Sequence, residues 1–374
     1  MKITLHIHAG SGKTGTSAIQ YFLRNNRQEM LRQGYAYAGT FFEEFSDDQK
    51  GNLTEVFSRA KKKGVQFLTS HIRQCLARIT KRYSDHPIRH IIWSNEGILT
   101  SHAVMGEVLS NLVTDYDVHF VAYLRRQDEW LSSAYRQWGI RHKTNPGPVM
   151  EFDQWMVRYQ RNANYDALLG QWEKSIGLSS ITARIYEKCH DVVVDFAAVV
   201  GLNLSVLDIP DERAYKTPDA TILSLFKLYN TQFDEQIHPR SLVQLLDKAG
   251  ILARHIRPTN ITATLPGVDK KRQLLAQYEP GNKRLSRFSK PDYDVSFPTD
   301  EPTEVGSHDV TTDQILSALL LMLVDTDRRS SEAQRRIAEL EKRVARLAKQ
   351  KTMSSPGNED DETQLEGYGS KQGN

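Results

Sequence analysis

Cysteine is nearly absent: Cys75 and Cys189 are the only two in 374 residues, far apart and without histidine or cysteine neighbours at ligand spacing. That excludes a disulfide scaffold and a structural zinc site, and it suits a reducing compartment, so the chain is expected in the cytoplasm. Long apolar runs are missing too. The longest, Ile315 to Val324, is interrupted by Ser317 and is about half of what a bilayer span needs, so no transmembrane helix is expected. Met1 to Ser17 hold one early lysine and a short alternating apolar stretch before a glycine-rich turn, too brief for the core of an export signal. Nor does one sign of charge prevail. With 49 Lys and Arg interleaved among 46 Asp and Glu, the formal net charge is +3, and no basic stripe marks a nucleic-acid binder. Any anion site must be local.

What is present is a chain of 39% hydrophobic residues, enough for one large core or two modest ones. Lys2 to His8 alternates, with Ile3, Leu5 and Ile7 on one face, and runs into Ala9-Gly10-Ser11-Gly12. Ile19, Phe22, Leu23, Met30 and Leu31 then recur at helical spacing, so the order is strand, glycine loop, helix. Ile88 to Trp93, Val118 to Leu124 and Ile181 to Tyr186 are strand-like, and helical periodicity follows in Trp130 to Ile140 and Asp191 to Val200. Alternating β and α units predict a doubly wound parallel sheet flanked by helices. Asp191 is placed to cap the last of these helices and Gly201 to end it.

Between Ser46 and Tyr83 the pattern is polar-helical, with Leu53, Val56, Phe57, Phe67, Leu68, Ile72, Leu76 and Ile79 as its apolar stripe. From Pro210 to about Phe297, helical stretches (Ile222 to Tyr229, Leu242 to Lys248) alternate with loops, including Tyr278 to Arg284. The expected organisation is a core over 1–205, a mainly helical continuation over 206–326, a short coiled-coil-like helix over 327–351 and a disordered tail over 352–374. Ile337, Leu340, Val344 and Leu347 carry the heptad seam. It reads equally as a coiled coil joining copies of the chain or as an amphipathic helix folded on its own domain.

His8 to Ser17 lies between a strand and a helix, where free backbone N–H groups and the helix dipole make an anion site. Lys13 adds a point charge, and the hydroxyls of Thr14, Thr16 and Ser17 can donate to phosphate oxygens. The plain alternative is an ordinary tight turn. A nucleotide-triphosphatase loop needs G-x-x-x-x-G-K-[ST]; Gly12-Lys13-Thr14 supplies its end, but Ile7 stands where the first glycine belongs. The stretch Gly12-Lys13-Thr14-Gly15-Thr16-Ser17 instead resembles the phosphosulfate loop of the sulfotransferases, with Gly12 where proline is common. Gln20, Leu23 to Arg27, Leu31 and Gly34-Tyr35 resemble the bacterial carbohydrate-type branch of that family. Tyr123 to Tyr135 is similar to the family's 3′-phosphate motif, an arginine at a strand end and a serine eight residues later, met by Arg125 and Ser133. Arg126 and Ser132 are the neighbours that a shift of one residue would promote. The likeness continues through Asn164-Tyr165, Leu168, Trp172 and Ile181 to Glu187, and loosely into Tyr278 to Phe288, which resembles a late basic loop closing over the donor, or is simply an exposed basic loop.

The resemblance implies a P-loop-like fold and transfer of a sulfonate group from 3′-phosphoadenosine 5′-phosphosulfate (PAPS) to an acceptor hydroxyl or amine, with adenosine 3′,5′-bisphosphate (PAP) leaving and no metal required. Lys13 and the loop N–H groups would stabilise the developing charge. Members of the family use a histidine or carboxylate as base. Glu96, just past a predicted strand end, is the first candidate, although a glutamate there can equally cap a helix or pair with arginine. His102 is the reserve. His6 and His8, in or beside the first strand, read as structural or pocket-lining. A carbohydrate acceptor is implied by the bacterial branch, and the aromatic-bearing segment Trp138 to Trp155 is a candidate sugar surface. Two alternatives stand beside this reading: a P-loop kinase or other nucleotide phosphotransferase, and a non-catalytic scaffold that keeps the fold.

Overall fold

The structure, a computed structural model, describes residues 2–46, 62–209, 220–231, 233–236, 238–248, 265–303 and 312–353. Five strands, β1 (Thr4–His8), β2 (Tyr35–Gly39), β3 (His90–Ser94), β4 (Asp117–Leu124) and β5 (Ile181–Ile185), form one sheet in the order β2-β3-β1-β4-β5. Every neighbouring pair is parallel. The helices are α1 (Thr16–Asn25), α2 (Arg27–Arg32), α3 (Val65–Arg82), α4 (His102–Leu112), α5 (Gln127–Ala134), α6 (Phe152–Tyr159), α7 (Tyr165–Ile176), α8 (Val192–Val200), α9 (Ala220–Thr231), α10 (Arg240–Lys248), α11 (Val268–Arg284) and α12 (Thr312–Met353). A π-helical segment, Tyr135–Arg141, continues α5.

Alternation along each strand feeds two cores. Leu5, Ile7, Ile91, Trp93, Phe120 and Ala122 pack with α3, α4 and α7. Tyr35, Tyr37, Ile92, Val121 and Tyr123 pack with α1 and α8 on the opposite face. Each large apolar side chain so buried contributes about 1.5–3 kcal/mol. His6 and His8, at even positions of β1, need polar company on this second face. His6 contacts His119 at 2.9 Å and His90 at 3.1 Å through ring nitrogens, and His119 reaches Thr182 Oγ1 at 3.0 Å. Burial, reinforced by the neighbouring imidazoles, pushes His6 down to about 3. Asp191 caps α8 through Oδ1, which accepts from the N–H groups of Val193 (2.7 Å) and Val194 (3.3 Å), and left-handed Gly201 ends the helix.

Three elements differ from the sequence reading. β2 was not expected: Tyr35-Ala36-Tyr37-Ala38 lacks the apolar/polar contrast of a half-exposed strand, and alanine is a weak strand former. Its tyrosines fill one core and its alanines the other. Tyr278 to Arg284 is helix, not loop, although Pro280 lies inside it. Leu274 and Tyr278 are buried there, and Tyr278 donates to the Gln160 carbonyl at 2.9 Å, so packing outweighs the lost backbone bond. The C-terminal helix does not begin near 327 but runs unbroken from Thr312, in a stretch free of glycine and proline. In α3 the stripe is Leu68, Ile72, Leu76 and Ile79, while Phe67, one position out of phase, is exposed. The part of that polar-helical region at 47–61 and the tail at 354–374 lie outside the described residues. The chain divides into two compact units, Met1–Gln244 with Ile256–Ile315, and Leu245–His255 with Leu316–Asn374. No described helix is long and apolar enough to cross a membrane.

Candidate functional site

The sheet order reverses around β1, which has β3 on one side and β4 on the other. At such a switch point the connections leave in opposite directions, and a crevice opens at the carboxyl ends of the strands. Ala9 and Ser11 donate to the carbonyls of Val121 (2.9 Å) and Tyr123 (3.1 Å), so the chain stays tied to β4 as it leaves β1. Gly12, Lys13 and Gly15 then take left-handed φ values of 69°, 57° and 76°. For Lys13 this conformation costs about 1–2 kcal/mol, strain held at the centre of the loop. Gly15 is required for a second reason: a β-carbon there would lie 2.5 Å from Val192 Cγ1. The Trp130 indole N–H binds the outward carbonyls of Ser11 (2.8 Å) and Gly12 (3.1 Å). Among the described residues, no acceptor takes the backbone N–H groups of residues 12–17. Consecutive free N–H groups in this geometry form an anion nest at the start of α1.

The hollow of the loop is polar and unfilled by the chain. Thr14 Oγ1, Thr16 Oγ1 and His8 Nε2 lie 2.7, 3.1 and 3.5 Å from the point a β-carbon of Gly10 would occupy. Thr14 Oγ1 and His8 Nε2 are sealed from solvent without a hydrogen-bond partner. Each such orphan costs about 1–3 kcal/mol unless a ligand or water completes it. Burial pushes His8 down to about 3, so its imidazole is neutral, and Nδ1 shares a 2.8 Å hydrogen bond with Ser94 Oγ. The residues present therefore fit an oxyanion held in the loop.

Cations gather at the rim. Burial lowers the pKa of Lys13, and Arg125, Arg141 and Arg136 depress it further against the opposing pull of Glu96. Arg125 extends from the end of β4, donates through Nη1 to the Lys13 carbonyl at 3.2 Å, and lies 3.6 Å from Glu129 and 3.8 Å from Glu187. Tyr165 donates to the Arg125 carbonyl at 2.7 Å, fixing the strand end from α7. The neighbouring residues are committed elsewhere. Arg126 grips Asp128 at 2.9 and 3.0 Å and donates to the Asp300 carbonyl at 2.9 Å. Ser132 donates to the Asp128 carbonyl of its own helix at 2.6 Å. Ser133 stands one position further along α5, 8% exposed.

Glu96 opens a short 3₁₀ turn after β3, held by the Asn95 side chain accepting from Gly97 N–H at 2.9 Å. The residue is exposed overall, yet protein surrounds its side chain. Crowding raises its pKa, partly offset by the Thr16 hydroxyl and Lys13. Glu96 Oε2 lies 3.7 Å from where a β-carbon of Gly12 would stand, so the structure brings it to the loop. His102 is not brought there. It begins α4, shares a 2.9 Å hydrogen bond with Ser175 Oγ and meets Trp172 edge-on at 5.1 Å, against α7.

Three residues of the π segment and its end, Arg136, Arg141 and His142, were not named from sequence, while Trp138 was. Arg136 and Arg141 act on Lys13, and Trp138 Cη2 lies 3.1 Å from the β-carbon position of Gly12. His142, lowered by burial and then by Arg141, His238 and Lys13, shares a 2.7 Å hydrogen bond with the Gln137 amide. In an α-helix residues five apart diverge, whereas i→i+5 bonding turns Arg136 and Arg141 to related directions. Trp155, expected near a sugar, is fully buried and stacked on Tyr159 at 4.3 Å. The basic residues after Tyr278 do not close over the loop either: Arg284 pairs with Asp166 (2.7 Å), Arg287 with Glu173 (3.0 Å), and Lys283 with Glu279 (2.7 Å).

No family model matches the chain. An uncharacterized protein of Archaeoglobus fulgidus is 25% identical over 174 residues, 45% of this chain and 44% of that protein, so the match spans less than half of its length. Among solved structures, a sulfotransferase from Alicyclobacillus acidocaldarius aligns over 64% of this chain and 95% of its own, at 16% identity and a TM-score of 0.35. The geometry of the loop, Arg125 and Glu96 stands independently of that likeness.

Proposed function

We propose that the chain is a PAPS-dependent sulfotransferase acting on a hydroxyl or amine of a carbohydrate acceptor in the cytoplasm. The observation that carries the reading is the convergence of the Gly12–Ser17 nest and Lys13, Arg125 and Glu96 on one rim of the sheet, with more buried positive charge than the chain neutralises. PAPS supplies an activated sulfonate and a bisphosphate leaving group. The nest, Lys13 and the hydroxyls of Thr14, Thr16 and Ser17 receive the phosphosulfate end, while Arg125 and Ser133 receive the 3′-phosphate. The acceptor oxygen forms its bond to sulfur as the bond from sulfur to the bridging oxygen breaks. The acceptor proton passes to the Glu96 carboxylate, and the bridging electrons leave with PAP. Lys13 and the loop N–H groups face the charge that grows on the bridging oxygen, fixed dipoles that need no reorganisation. This assignment requires no metal. A carboxylate with a raised pKa suits the base, since proton affinity rises with it.

Calorimetry with PAP, without metal, tests the assignment. Lys13→Ala and Arg125→Ala should each weaken binding by about 10- to 100-fold, the scale of a lost charge-assisted contact. Undiminished affinity in both folded variants sinks it. Tight binding of ATP that depends on magnesium points to a phosphotransferase instead.

A further inference from the structure

Arg141 is a cation that the donor does not account for. It ends the π segment, and burial lowers its pKa with no carboxylate acting on it. Its Nε is sealed from solvent without a hydrogen-bond partner. The guanidinium lies 5.9 Å over the ring of Phe226 on α9, and among the described residues it makes no ion pair. Arg136, by contrast, shares the fields of Glu129 and Arg125. Arg141 is felt at Lys13 and His142. A desolvated guanidinium with an orphaned N–H is unfavourable until an oxyanion arrives, and its planar fork matches a carboxylate through two parallel hydrogen bonds. Trp138, half-buried and 3.1 Å from the β-carbon position of Gly12, puts an indole beside the loop on the same segment.

We propose that Arg141 receives a carboxylate of the acceptor, which makes that acceptor an acidic saccharide bearing a uronate, with Trp138 covering an apolar face of the sugar. The term acceptor rests on the sulfotransferase reading; the uronate site itself belongs to the free protein and can be tested without donor. The probe is a glucuronate-containing tetrasaccharide, titrated calorimetrically beside the same tetrasaccharide with its carboxyl groups reduced to alcohols. The acidic form should bind about 10-fold or more tighter, the scale of one charge-assisted pair. Arg141→Gln should erase that preference and leave PAP affinity within about two-fold of the unaltered protein, while Arg141→Lys should keep part of the preference. Arg141→Lys also serves if Arg141→Gln fails to fold. Equal binding of the acidic and reduced sugars overturns the proposal, and so does a parallel fall of PAP and uronate affinity in Arg141→Gln. Uronate binding that depends on Arg141 in a protein that ignores PAP upholds the subsite and removes the transfer reading.

Discussion

Two groups of basic side chains in the same unit are built on opposite plans. Around α7 and α11, Arg284 and Arg287 hold Asp166, Arg287 also holds Glu173, and Lys271 is buried against Glu129 at 2.8 Å. At the strand ends Lys13, Arg136 and Arg141 make no ion pair among the described residues, and burial holds each below its ordinary pKa. Glu129 stands between the groups. Burial pushes its carboxyl up, but Lys271, Arg125 and Arg126 together bring it below the usual value. Both groups look alike in the sequence, yet only the second has charge left over for a ligand. An unneutralised cation under partial burial is thus a sharper mark of a binding site than basic composition.

The largest effect that would sharpen this contrast belongs to Glu96, the carboxylate beside the loop. Glu96→Gln should lower turnover by about 10²- to 10⁴-fold, the range for loss of a general base, with PAP affinity nearly unchanged. Its raised pKa fixes the sign of the pH dependence. The ionised form is the active base, so the rate should fall as pH drops through a value above that of an ordinary glutamate, and this acid limb should vanish in Glu96→Gln. A parallel loss of PAP binding would make Glu96 an organiser of the loop.

Much of this division was legible beforehand. β1 announces itself by alternation, β3, β4 and β5 by short strand-like runs, and the loop by small residues followed by Lys13. Arg125 stands out through its likeness to a family motif, and Glu96 because a residue just past a parallel strand lies on the carboxyl-end rim. His102 escapes that logic: it sits on a helix, and only the packing of α4 on α7 decides that it meets Trp172. The pairing of Arg284 with Asp166 is equally invisible, because 118 residues separate the partners. Arg136 and Arg141 were hidden by a periodicity that a 3.6-residue template does not contain.

A smaller effect tests the paired group. Arg287→Ala should leave PAP affinity within about two-fold while lowering unfolding free energy by about 1 kcal/mol in urea titration, as expected for a partly exposed ion-pair network. Weakening of PAP comparable to Arg125→Ala would erase the distinction drawn above. The smallest effect on chemistry is expected in the second unit. Ile337, Leu340, Val344 and Leu347 are exposed along α12, and a chain ending at Val324 should show a lower particle mass by light scattering with turnover largely kept. An unchanged mass would assign the seam to the chain's own fold or the main interface to another surface.

The π segment has a consequence for how this rim can vary. Each of its hydrogen-bonded loops encloses one residue more than an α-helical loop, so it behaves as a phase shifter between Ser133 upstream and Arg141 downstream. Deleting one residue within 135–141 would return the helix to the ordinary pitch and turn everything beyond it by about 100°, one residue's worth of rotation. Arg125 and Ser133 would keep their places while Arg141 swung out of register with Lys13. One codon therefore separates a rim with four cations from a rim with three, and the two halves of the site can change independently.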